Sequence, residues 1–153
     1  MEELTLINIL LAFVFSAGAA GCCSIYLDTN KYDIVFGALL GGLGWITYLI
    51  ISKMGNGALA YLCGAFVVAI LSEIIAVVTK NPATVYLLPG LLPLVPGGGM
   101  FQTMRAAVNG QMDFALSIGY NTLIAAGAIA LGIATASSLT VFIKHIKKHF
   151  RKN

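Results

Sequence analysis

A chain of 153 residues that is 59% hydrophobic and only 10% charged has almost nothing with which to cover a water-facing surface, since a soluble domain carries about 25% charged residues. With a mean hydropathy of +0.92, it excludes a water-soluble core and indicates a single integral membrane domain over residues 1–153. The net charge of +3 comes from the ends, Glu2 and Glu3 against Lys144, Lys147, Lys148, Arg151 and Lys152 in a basic tail over 144–153. Such a tail after an apolar helix reads as a topology signal that keeps the C-terminus cytoplasmic. It suits anionic lipid headgroups, and it is not a nucleic-acid site.

The first apolar segment covers about 4–27. Its acidic start is unlike a secretory signal, so it is expected to stay as a transmembrane helix, with Ala17 and Gly21 forming a small-xxx-small edge. Asp28 to Asp33 (DTNKYD) reads as a polar turn. The second segment, 34–52, is about 28 Å long at helical rise and carries Gly37, Gly41, Gly42 and Gly44. Gly37 and Gly41 make a GxxxG pair, which lets helix backbones approach closely within the chain or between copies of it.

A tight turn at Lys53 to Gly57 leads to the third segment, 58–78, with Ser72 and Glu73 near its end. An ionisable residue inside a span is costly and by default functional. The bland alternative is an interfacial carboxylate paired with Lys80. Pro82, in the turn Thr79 to Ala83, marks the stop of this helix.

The fourth segment, 85–104, is apolar but interrupted by Pro89, Gly90, Pro93, Pro96 and the run Gly97, Gly98, Gly99. An interior proline costs about 3 kcal/mol in a helix and a glycine about 1 kcal/mol. In lipid, such backbone is tolerated only where protein buries it or where it lines a cavity. Where the stretch is helical, its prolines are expected to free the carbonyls of Val85, Pro89 and Leu92. A second half-helix starting near Gly98 has unpaired amides that favour an anion. The fifth segment, 114–143, follows the polar turn Asn109 to Asp113. It bears two small-residue rows, Ala126, Ala130, Ala134, Ser138 and Ala128, Gly132, Ala136, Thr140, expected to pack against more than one helix.

The expected fold is therefore an all-α membrane protein of five hydrophobic segments, the fourth broken and either crossing or re-entrant. Five crossings put seven Lys and Arg inside (Lys31, Lys80 and the tail) against two outside, and a re-entrant fourth segment gives six to three. Past the glycines, Gln102, Arg105 and Asn109 share one helix face. Arg105 is expected either to meet a substrate carboxylate or to serve as an anchor or ion-pair partner of Asp113 or Glu73. Asn121 and Thr122 are expected to hydrogen-bond a neighbouring helix. Cys22, Cys23 and Cys63 lack any metal or disulfide spacing, and His145 and His149 lack a third ligand. No catalytic set or nucleotide loop is present, so neither an enzyme nor a cofactor or metal is expected.

The stretch KNPATVYLLPGLLPLVPGGGMFQTM, preceded by SEI at Ser72 to Ile74, resembles the signature of the threonine/serine exporter family. It is most similar to the small C-terminal-type subunit of a split, two-component bacterial exporter. The resemblance implies a secondary exporter of small amino acids or dicarboxylates in the bacterial plasma membrane, completed by a second membrane subunit. Substrate carboxylate is then expected at Gly97 to Gly99 with Gln102 or Arg105, with Pro89 to Pro96 as a hinge and Glu73 as the carrier of a coupling proton. The chain departs from the family at Val77, where an arginine is common. The alternative is a structural or channel-type protein that assembles as a homo-oligomer through the glycine-rich helix 34–52.

Overall fold

The computed structural model describes the backbone of residues 6–150 and the side chains of 7–142; the charged side chains of the tail, with Glu2 and Glu3, lie outside them. The described residues form α1 (Leu6–Tyr26), α2 (Lys31–Ser52), α3 (Gly57–Thr79), α4 (Thr84–Leu91), a 3-10 turn (Leu92–Leu94), α5 (Gly97–Val108) and α6 (Met112–Phe150). Four of these, α1, α2, α3 and α6, are long and apolar enough to cross a membrane, and the bent pair 84–94 and 97–108 makes a fifth candidate. The expected all-helical membrane fold is thus what the chain adopts.

Each helix ends for a local reason. Asp28 (φ 54°) closes α1 and Lys80 (φ 61°) caps α3 in the left-handed region, where the next intrahelical bond cannot form. Two expected turns are cut short, the one over 109–113 because α6 begins at Met112. The polar turn over 28–33 is shorter than the sequence indicates, because α2 begins at Lys31 and carries Asp33 into the bundle, where it is buried. An acid in the first turn is favoured by the helix dipole, so nothing in local propensity opposes the earlier start.

The core is built of small residues. Ala20, Ala60, Ala65, Ala69 and Ala136 are buried, whereas Leu10, Phe15, Leu116 and Leu123 face outward. That inversion suits a lipid solvent, which offers no hydrophobic drive between helices and rewards close backbone packing instead. The glycines of α2 carry most of it. A Cβ on Gly37 would meet Ser24 Oγ at 2.5 Å and Pro89 Cγ at 3.1 Å; one on Gly41 would strike Ala20 and lie 3.4 Å from Pro93 Cγ. Prolines four residues apart are therefore seated on glycines four residues apart. The GxxxG face is used inside the chain, so a homo-oligomer would have to form on some other face.

The direction of the broken element follows from its neighbours. Tyr86 meets Thr79, Gly90 lies on Val68, and Leu94 lies on Gly64, so α4 runs antiparallel to α3. At the break the chain turns by 52° and keeps going. Gly99 then packs on Thr122 and Gly119 on Thr103, so α6 returns antiparallel to α5 and points the way α3 does. The chain does not double back at its prolines.

The seating of prolines on glycines has a direct test. Gly37→Ala is expected to destabilise the folded protein by about 1–3 kcal/mol through overpacking. Gly18→Ala, whose Cβ meets nothing within 4 Å, is expected to be neutral. Thermal unfolding of the purified variants in detergent makes the comparison.

Candidate functional site

The break between Leu94 and Gly97 opens onto a cavity of about 420 Å³. Pro93, Leu94, Val95 and Pro96 form its rim, Trp45 and Tyr61 one wall, and Ile118, Asn121, Thr122 and Ala125 of α6 the other, with Gly98 and Gly99 facing in. The aromatic wall is continuous: Trp45 stacks on Tyr48 at 5.0 Å, and Tyr48 lies 4.6 Å from the ring of Tyr61. Trp45 thus lines the cavity and Tyr48 supports it from behind.

The backbone groups at the break divide unequally. The amide of Leu92 donates to the Pro89 carbonyl, and that of Val95 to the Leu92 carbonyl. Two of the carbonyls expected to be freed by the prolines are therefore satisfied by tightening into a 3-10 turn, the usual repair at a helix end. On the other side, the Gly97 amide donates to the Val95 carbonyl at 2.8 Å and the Met100 amide to that of Pro96 at 3.2 Å. The amides of Gly98 and Gly99 find no acceptor among the described residues. The cradle is two amides wide, and Gly97 is not part of it.

The two remaining glycines differ. A Cβ on Gly98 would meet nothing within 4 Å, whereas one on Gly99 would strike Thr122, so Gly99 also serves packing of α5 on α6. Thr122 donates to the carbonyl of Ile118 on its own helix. Asn121 makes no hydrogen bond to a neighbouring helix among the described residues, contrary to expectation, and lines the cavity instead.

The other expected site residues lie elsewhere. Pro89 and Gly90 are buried in the bundle, Gly90 against Val68 and Leu40. Gln102, Arg105 and Asn109 do share a face, and with Gln111 and Phe114 they line a separate cleft of about 360 Å³. Arg105 is seven residues beyond Gly98, about 10 Å at helical rise, and it pairs with neither Asp113 nor Glu73 among the described residues. Glu73 is half-buried on α3, twelve residues and about 18 Å of rise from Tyr61.

A second polar centre escaped the sequence reading. Asp33, 6% exposed, accepts hydrogen bonds from Asn81 Nδ2 at 2.8 Å and lies against the hydroxyl of fully buried Tyr86. That hydroxyl is 2.8 Å from Thr79 Oγ1 and 3.2 Å from Asn81 Nδ2. The cluster ties the starts of α2 and α4 to the end of α3. The one clue was an acid a single turn into an apolar helix.

An interrupted helix with bare amides, set among membrane-length helices, defines a multi-span membrane protein organised around a polar break. Its family comes from comparison: the model described as threonine/serine exporter, ThrE, matches residues 8–139. The chain belongs to that family, which is one of transporters and not of enzymes. No curated protein and no solved structure matches it.

A wet cavity makes a checkable difference. With Cys22, Cys23 and Cys63 replaced by serine, Gly98→Cys is expected to react with a water-soluble maleimide in intact membranes, and Gly90→Cys is not. Equal protection of both positions would mean that the break is dry.

Proposed function

We propose that this chain is one subunit of a secondary exporter of small amino acids of the threonine and serine kind, or of small dicarboxylates. It works in the bacterial plasma membrane with a second membrane subunit. The family membership supports the transport role, and the one structural observation that carries the site is the pair of bare amides at Gly98 and Gly99 facing a cavity. Backbone N–H groups at a helix N-terminus favour an anion, so the substrate carboxylate binds there. The Asn121 amide and the aromatic wall of Trp45 and Tyr61 take the rest of the molecule. Half-helix starts of this kind hold carboxylates in other secondary transporters.

Gln102, Arg105 and Asn109 form a second polar station, which receives the carboxylate on its way to or from the break. Pro89, Pro93 and Pro96 define the hinge by which α5 moves against the seated α4. Glu73 is a candidate proton carrier on α3. Arg105, Lys53 and the N-terminus face the outside in this reading, and Lys31, Lys80 and the tail the cytoplasm, in agreement with the positive-inside rule.

The second subunit is expected to dock on α6. Of the two small-residue rows on α6, Ala128, Gly132 and Ala136 are buried against α3, and Ala126, Ala130, Ala134 and Ser138 are exposed. The exposed row is expected to meet a helix of that subunit.

Gly98→Leu is expected to abolish export while the protein still inserts and folds, because a Cβ at Gly98 meets nothing within 4 Å. Normal efflux by that variant would remove the amide cradle from the mechanism. For the partner, Ala130→Phe is expected to prevent co-purification of the second membrane subunit; a self-sufficient conducting homo-oligomer would favour a channel.

A further inference from the structure

Behind the aromatic wall of the break cavity lies a second, smaller space. This recess measures about 230 Å³ and is bounded by Ala12, Phe15 and Ser16 of α1, by Trp45 and by Pro93. Trp45 and Pro93 also line the break cavity, so these two side chains form the partition between the spaces. On one side of them stand Asn121 and the glycines of the break, and on the other stands α1.

The partition is held in place by its neighbours. A Cβ on Gly41 would lie 3.4 Å from Pro93 Cγ and 3.4 Å from the Ser16 carbonyl oxygen, so α1, α2 and the 3-10 turn converge at Pro93. Trp45 is one turn beyond Gly41 on the same face of α2. A helical side chain leans back over the turn before it, which carries the indole towards Pro93. The ring of Tyr48 stacks on the indole at 28°, and Tyr61 backs Tyr48 in turn. Ala12, Ser16 and Gly41 bring little bulk to this place, so the indole is the main obstacle between cavity and recess.

The two spaces offer different chemistry. The break cavity has the Asn121 side chain and the bare amides of Gly98 and Gly99. The one polar side chain at the recess is Ser16, and its hydroxyl is turned onto its own helix, 2.7 Å from the Ala12 carbonyl and 3.1 Å from that of Phe13. The outer side of the recess is Phe15, which faces outward. Methylene groups gain by leaving water for such a place, whereas a charged group would lose its hydration without replacement. The recess thus suits the apolar end of a molecule whose carboxylate sits at the break, and the indole keeps that end out.

We infer that Trp45 sets the upper size limit of the substrate. With the indole in place the cavity takes a carboxylate with a short side chain; without it the recess becomes a pocket for a branched aliphatic one. The size limit rests on the exporter reading, whereas the partition itself does not.

Labelling tests the partition with no transport involved. In the chain with Cys22, Cys23 and Cys63 replaced by serine, Ser16→Cys is expected to resist a water-soluble maleimide in intact membranes. It is expected to react once Trp45→Ala is added, because water then reaches α1 through the break cavity. Trp45→Phe keeps a ring on Tyr48; it is expected to give a slower reaction and keeps the test usable if Trp45→Ala does not fold. Labelling of Ser16→Cys that is the same with the indole present, trimmed or removed overturns the partition.

Transport tests the size limit. With the full complex in vesicles, leucine efflux is read relative to that of threonine or a small dicarboxylate, whichever the wild type moves. That ratio is expected to rise about tenfold in Trp45→Ala, the scale on which an apolar pocket discriminates by a methylene group, and by less in Trp45→Phe. An unchanged ratio overturns the size limit. A wild-type complex that moves no small carboxylate overturns the exporter reading instead, and the labelling alone then decides the partition.

Discussion

The structure depends on the fit of two prolines into two glycines. Pro89 and Pro93 lie on the face of α2 where Gly37 and Gly41 have no side chains, and no bulkier pair would let a proline-bearing helix come so close. A proline inside a helix forfeits a hydrogen bond and crowds the turn behind it. Here the distorted segment is held from outside, against α1, α2 and α3. The glycines of α2 are thus best understood as the mould in which the interrupted segment is set.

That mould stops at Leu94. Leu94 is buried against Gly44 and Gly64, and beyond it the chain turns by 52° and α5 leans chiefly on α6. The break therefore separates a fixed half from a half with a single main support. The polar bookkeeping follows the same division. The Pro89 and Leu92 carbonyls on the fixed side are satisfied by a 3-10 turn, because tightening a helix end needs no partner outside the chain. Amides on the other side have nothing in the chain behind them to tighten onto, since Val95 is extended. The amides of Gly98 and Gly99 are left bare for this reason, and bare donors at a helix start suit an anion.

Much of this was legible in the sequence. Apolar runs of about 20 residues fix the number of membrane helices because the bilayer fixes their length, and prolines beside a glycine run fix the place of the break. The shared face of Gln102, Arg105 and Asn109 followed from helical spacing. What spacing could not give was depth: Arg105 belongs to the same helix as Gly98 but to a different cleft. Nor could it give partners. Asp33 meets residues 48 and 53 positions away, and a carboxylate beside Asp28, Asn30 and Lys31 looks like part of a solvated turn until the helix is seen to start before it. Asn121 and Thr122 were read as one polar pair, yet one bonds its own helix and the other faces the cavity.

The two polar places stand at opposite ends of one short element. Eight residues of α4 and three of the 3-10 turn join Tyr86, one turn in from the Asp33 end, to Pro96 at the lip of the cavity. Between them Pro89, Gly90 and Leu94 are buried against glycine, leucine and valine, while Leu88 and Leu92 face outward. Close packing of this kind ends at one place. That place is the extended Val95 and the proline after it, where the backbone leaves the mould and the amides of Gly98 and Gly99 begin. Close packing over α4 therefore holds the Asp33 cluster and the two bare amides at a set separation along one element.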